Sequence, residues 1–169
     1  MSLVSKSFLR DIFGSFKPGK GSVFVEKSRQ NRRDDEMLAK YFKRKFGGEY
    51  VILSDIAPHG VKVPDILLTK RAIFENKKVT SLQSLDSQTR RALFQLDKDN
   101  LKKLKINLRN KELRHVLVIQ IEKGVKLDYE DVVGTIMHRI NRHKINHPVC
   151  INYVMIRENG KIKLLLKIK

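Results

Sequence analysis

Three ionisable side chains around one short apolar stretch could do chemistry together: Asp65, Glu75 and Lys77. Asp65 heads the run Ile66–Leu68, and Glu75 and Lys77 follow the run Ala72–Phe74. Two apolar runs parted by Lys70-Arg71 predict a β-hairpin buried on both faces. Strand side chains alternate, so Glu75 and Lys77 share a face and Asn76 takes the other. The position of Asp65 depends on the loop. A two-residue loop at Lys70-Arg71 sets Asp65 opposite Asn76, and Lys-Arg suits such a turn poorly. A three-residue loop over Lys70–Ala72 sets Asp65 opposite Lys77 and diagonal to Glu75. The odd-numbered loop is expected, since it gathers two carboxylates and an ammonium. Neighbouring carboxylates repel unless a cation intervenes. Mg²⁺ is held by one or two carboxylates, water and substrate phosphate. A lysine beside metal-bound water can orient it and ease its deprotonation for attack on phosphorus.

Pro64-Asp65 followed by Glu75-Asn76-Lys77 resembles the PD-(D/E)xK nuclease signature. The resemblance implies that Asp65, Glu75 and the backbone carbonyl of Asn76 bind Mg²⁺ or Mn²⁺. It also implies that Lys77 acts on the nucleophilic water. Members of that superfamily often add an acid from the preceding helix, several residues before a Leu and a Gly. Asp35-Glu-Met-Leu38-Ala39-Lys-Tyr-Phe42, followed by Gly47, is similar, with Asp35 where the family more often has Glu. Asn76 departs from the family, which usually has an apolar residue there. Its side chain needs a hydrogen-bond partner in the opposite layer.

The elements that must position these residues can be read along the chain. Residues 28–46 predict a helix with the stripe Leu38, Tyr41, Phe42 and Phe46, stopped by Gly47-Gly48. Asp34, Asp35 and Glu36 lie in its first turns, where acids suit the helix dipole. Helical phase turns Asp35 toward the core and Glu36 away. Residues 49–56 predict a strand, and 57–62 a loop containing His59. Residues 82–109 predict a long helix, with a break expected near 97–100. A buried strand is expected at 115–122 and a helix over Tyr129–His143. Val149–Arg157 and Lys161–Ile168 pair across Glu158-Asn159-Gly160, a strong turn signal. Helix, three strands, helix, strand, helix and two strands give an α/β fold with a mixed sheet. That order is similar to the restriction-endonuclease-like α-β-β-β-α-β core, with a C-terminal helix and β-hairpin added. Residues 28–169 are expected to form this domain, and 1–27 a basic N-terminal extension. Phe8, Leu9, Ile12, Phe13 and Phe16 in the extension allow a short amphipathic helix ending near Gly14.

Charge narrows the partner. The 169 residues carry 36 Lys+Arg against 18 Asp+Glu, a net +18. So large a surplus repels itself unless a polyanion relieves it, which points to nucleic acid. A membrane-spanning role is excluded, because no apolar run is long enough. The backbone grip is expected from Lys102, Arg139, Arg142 and Lys144, and from Arg90 or Arg91. Adjacent helical residues diverge by about 100°, so at most one of Arg90 and Arg91 faces the metal site. A lone cysteine, Cys150, excludes a disulfide framework and a cysteine-rich zinc site, and is expected in the core. His143 and His147 read as a solvated basic helix end rather than a zinc pair.

Three readings follow. The resemblance implies a metal-dependent endonuclease hydrolysing phosphodiester bonds. The size and charge look like toxin-type bacterial nuclease domains, including tRNA-cleaving ones from contact-dependent inhibition, which act in the cytoplasm and meet an acidic immunity protein. The second reading is a DNA endonuclease of resolvase or restriction type, of bacterial or phage origin and built as a homodimer. The third is a basic nucleic-acid-binding module without catalysis, its hairpin acids structural.

Overall fold

Apolar runs on five parallel strands and amphipathic helices between them assemble an α/β fold. The computed structural model describes residues 4–25, 33–53, 63–96 and 113–169. Among them are four helices and a seven-stranded mixed sheet. The strands are β1 (Gly21–Phe24), β2 (Gly48–Ile52), β3 (Ile66–Leu68), β4 (Ala72–Val79), β5 (Arg114–Ile121), β6 (Tyr153–Glu158) and β7 (Lys161–Lys167). The helices are α1 (Lys6–Phe13), α2 (Arg33–Phe46), α3 (Leu82–Gln95) and α4 (Tyr129–Asn146). Strands lie side by side in chain order from β1 to β7. β3 and β7 run antiparallel to their neighbours, and the other pairings are parallel.

The sheet divides the core into two layers. One face packs Ile73, Leu117, Ile119 and Val154 against Leu85 and Leu93 of α3 and Val132, Ile136 and Ile140 of α4. The other packs Phe74, Val116, Val118 and Tyr153 against Leu38, Phe42 and Phe46 of α2 and Leu9, Ile12 and Phe13 of α1. Central strands are buried on both faces, as parallel sheets covered by helices require.

The segment expected as a basic extension contributes α1 and β1 over its described part. Phe13 stacks on Phe46 with ring centres 4.1 Å apart and lies 5.0 Å from Phe42 and 5.7 Å from Phe74. Asp11 accepts hydrogen bonds from Tyr153 Oη at 2.6 Å and Arg114 Nε at 3.0 Å. β1 pairs in parallel with β2 from Gly21 to Phe24.

Helix ends follow local chemistry. Asp128 caps α4, accepting from the N–H groups of Glu130 and Asp131. Ser81 and Ser84 cap α3 reciprocally. Gly47 closes α2 with φ 75°, and a Cβ there would meet the Lys17 carbonyl oxygen at 2.2 Å. In the β6–β7 turn Asn159 and Gly160 both have positive φ, 52° and 74°, the conformation a two-residue hairpin loop favours. Past this turn Ile156 pairs with Leu164 and Arg157 with Ile162, so Lys163 is the extra residue of a bulge.

Several boundaries differ from expectation. β4 carries Glu75–Lys77 as expected and runs on to Val79, because β5 pairs with all eight of its residues. α4 runs on to Asn146. The break near 97–100 and the rest of the helix expected to 109 lie outside the described residues, as do residues 26–32 and 54–62.

Candidate active site

The hairpin register decides where Asp65 sits. Leu68 pairs with Ala72, Leu67 with Ile73 and Ile66 with Phe74. The loop is therefore Thr69-Lys70-Arg71, closed by Arg71 N–H donating to the Leu68 carbonyl at 3.0 Å. Lys70 takes φ 63° inside it. The loop has the expected odd length but begins one residue earlier. The ladder stops at Ile66–Phe74, and the Asp65 N–H returns to the Phe74 carbonyl, so Asp65 does not sit opposite Lys77 as expected. The small, buried Ala72 is drawn into the strand and leaves the loop to Thr69.

Two backbone hydrogen bonds, one to β4 and one from the residue after β2, fix Asp65. Its N–H donates to the Phe74 carbonyl at 3.0 Å, and its carbonyl accepts from Leu53 N–H at 3.0 Å. The β3–β4 ladder ends here. The Asn76 N–H, beyond the last strand pair, donates instead to Asp65 Oδ2 at 2.7 Å. A strand residue's N–H and C=O leave on the same side. The Asn76 carbonyl consequently faces the same open edge as the Asp65 carboxylate.

Glu75 and Lys77 project to the α3 and α4 side, where Ile73 and Val79 flank them in the same row. Glu75 is 1% exposed. Its Oε1 accepts from Lys77 Nζ at 2.9 Å. Its Oε2 is buried and has no hydrogen-bond partner among the described residues. Burial pushes the Glu75 carboxyl well above its ordinary range, and the charge of Asp65 adds to this; Lys77 opposes them, and Asp35 adds a smaller upward push. A buried acceptor without a donor is costly. This one also feels the charge of a second carboxylate, Asp65.

Asp35 comes from the first turn of α2 and is 8% exposed. Its neighbours in sequence go elsewhere. Asp34 pairs with Lys78 at 2.8 Å, and Glu36 pairs with Lys40 at 2.7 Å on the helix surface. Asp35 lies across the sheet from the Glu75 side chain, on the face that Asn76 points to. Asn76 Nδ2 donates to Asp35 Oδ1 at 3.3 Å. Asn76 Oδ1 accepts from Gln120 Nε2 at 2.9 Å. The polar side chain that departs from the family pattern thus has two partners. Gln120 escaped the sequence reading. Its signal was a single amide interrupting the apolar run of β5.

The donor set is two carboxylates, Asp65 and Glu75, and the Asn76 carbonyl, all oxygen. This fits a hard divalent cation that keeps several waters and takes one or two carboxylates. The orphaned Glu75 Oε2 supplies the specific site for it. Among the described residues no group of three or more His, Cys, Asp or Glu side chains is arranged to hold a metal unaided. Backbone, water and substrate oxygens would have to complete the shell.

The expected phosphate-gripping residues separate. Arg90 and Arg91 are both exposed on α3, and Arg142 and Lys144 are exposed on α4. Arg139 differs, because its guanidinium is already engaged. Nε and Nη2 donate to the two carboxylate oxygens of Asp86 at 2.9 and 2.6 Å. Lys102 and His59 lie outside the described residues. The helix end at His143 is not solvated as expected. His143 is 8% exposed, stacks on His147 at 4.9 Å and meets the edge of Phe94 at 4.8 Å. Cys150, expected in the core, is half-buried and free. No helix among the described residues is long and apolar enough to cross a membrane.

Comparisons with protein-family models, with curated proteins and with solved structures gave no match.

Proposed function

We propose that this protein is a metal-dependent nuclease that hydrolyses phosphodiester bonds of nucleic acid. One observation carries the reading. Glu75 is buried within reach of the Asp65 charge, its Oε2 has no partner among the described residues, and Lys77 Nζ lies 2.9 Å from its Oε1. The element order from α2 to β5 supports the finer fold assignment, a restriction-endonuclease-like core extended by α4, β6 and β7. The net charge of +18 supports a polyanionic substrate.

Asp65, Glu75 and the Asn76 carbonyl would hold Mg²⁺ or Mn²⁺. When bound, the ion supplies a Lewis acid for the scissile phosphate and an acidified water. Lys77, paired with Glu75 and 14% exposed, would orient the attacking water, and its positive charge would stabilise the negative charge that develops on the water oxygen. Bonds to Phe74, Leu53 and the Asn76 N–H hold Asp65 in place, so its carboxylate is oriented in advance. Exposed Arg90, Arg91, Arg142 and Lys144 attract the phosphate backbone, and affinity falls steeply with salt.

The test is cleavage of mixed tRNA and duplex DNA substrates with Mg²⁺ or with EDTA. Metal-dependent cleavage that Asp65→Ala abolishes is the expected result, and the preferred substrate separates a toxin-type RNase from a DNA endonuclease. Nucleic-acid binding without cleavage under every metal would leave a binding module and sink the enzyme. A toxin-type RNase would also be expected to bind an acidic inhibitor protein.

A further inference from the structure

We infer that Asp35 and Gln120 are positioning residues that act on the metal site through the Asn76 side chain, and that Asp35 is not itself a metal ligand. This rests on the nuclease reading above.

The argument begins with the two faces of β4. Glu75 and Lys77 leave the strand toward α3 and α4, while Asn76 leaves toward α2. Asp35 belongs to α2 and meets Asn76 on that second face. Its Oδ1 is committed to the amide of Asn76, and the other end of that amide is held by Gln120 from β5. The Asn76 side chain is therefore clamped from a helix on one side and from a neighbouring strand on the other.

The same residue carries two backbone groups of the site. Its N–H holds Asp65 Oδ2 at 2.7 Å, and its carbonyl points to the same edge. β4 has lost its β3 partner at this point, so its peptide planes are held by the β5 ladder from one side only. The side-chain clamp adds a second restraint. An amide in this chain does what strand pairing would do elsewhere: it keeps the carbonyl and the Asp65 carboxylate aimed at one point. Partners behind the ligands of metal sites commonly change affinity by 10–100-fold when removed.

The experiment measures Mn²⁺ binding to the full chain by electron paramagnetic resonance, alongside Mg²⁺-dependent cleavage. Gln120→Met and Asn76→Leu keep size and remove the clamp. Both should weaken Mn²⁺ binding about tenfold, while turnover of Gln120→Met at saturating metal stays within about threefold. Asp35→Asn keeps an oxygen to accept from Asn76 Nδ2, so its Mn²⁺ affinity should stay within about threefold of the wild type. Asp35→Leu should fall with Gln120→Met. Asp34→Asn, whose partner is the exposed Lys78, is the neutral control. The amide proton of Asn76 gives an independent reading in the metal-free protein. Its exchange should accelerate in Gln120→Met although the fold, followed by circular dichroism, is unchanged. Loss of Mn²⁺ binding in Asp35→Asn by a hundredfold or more would make Asp35 a direct ligand and overturn the proposal. Unchanged affinity and exchange in Gln120→Met would overturn it too. In both cases wild-type binding, abolished by Asp65→Ala, leaves the nuclease reading standing. Failure of the wild type to bind Mn²⁺ or to cleave would instead remove that reading and this one with it.

Discussion

Replacing Glu75 by Gln separates the stability of this fold from its proposed chemistry. In metal-free protein the Glu75 side chain is 1% exposed, with one oxygen unpartnered among the described residues and the Asp65 charge acting on it. An unsatisfied buried acceptor costs about 1–3 kcal/mol, and more when charged. Gln is the same size, keeps an oxygen for Lys77 Nζ and brings no charge to desolvate. It also takes the counter-charge from Lys77, which offsets part of the gain. A net stabilisation of about 1 kcal/mol near pH 8 is expected, or about 2–4 °C in Tm for a chain of this length. The pH dependence has a definite sign. Burial and Asp65 raise the folded-state pKa of Glu75 above its ordinary 4.5. The native state keeps a proton that the unfolded chain sheds, so wild-type stability falls as pH rises from the ordinary value to the raised one. It is level above that, and the slope cannot exceed about 1.4 kcal/mol per pH unit from this group. Urea unfolding in EDTA from pH 4 to 9 should show the Gln variant gaining on the wild type across that window. Adding Mn²⁺ at about a hundred times its Kd should return about 2.7 kcal/mol to the wild type and nothing to the variant. Parallel pH curves, or a variant less stable than wild type at pH 8, would refute the account of Glu75 as a carboxylate held against its own solvation.

Three further outcomes are expected. Arg139→Ala should cost about 0.5–1 kcal/mol in urea unfolding, a modest figure because Asp86 is 35% exposed, and leave nucleic-acid affinity within twofold. The hydrogen bond from Arg139 holds the Asp86 carboxyl below its usual range, so this contribution is present above the ordinary pKa and lost as pH falls through the lowered one. Gly47→Ala should destabilise by about 2–4 kcal/mol in the same assay, because φ 75° and the Lys17 carbonyl at 2.2 Å both oppose a Cβ. Tyr153→Phe should lower stability by about 2 kcal/mol by removing a hydrogen bond to the Asp11 carboxylate, with the melting temperature as readout.

Much of this architecture was legible in the sequence wherever local chemistry decided it. The Asn159-Gly160 pair specified its hairpin because its backbone conformation suits few other residues. Helical phase separated Asp35, 8% exposed, from Glu36, whose side chain is 32% exposed and pairs with Lys40 on the helix surface. What escaped was set by distant partners. Nothing in Lys70-Arg71 tells that Lys70 takes a left-handed conformation and draws Thr69 into the loop. The bond between Arg139 and Asp86 spans 53 residues, so Arg139 looked available for phosphate when it is not. Gln120 gains its meaning only once β5 lies beside β4.

The placing of α1 has a practical outcome for anyone shortening this chain. Phe13 touches three other rings, and Asp11 joins the first helix to β5 and β6. Cutting at residue 27 would strip the cover from Phe42, Phe46 and Phe74 and leave Arg114 without its carboxylate. A minimal fragment that folds must therefore begin before Lys6, however dispensable so basic a leader looks on paper.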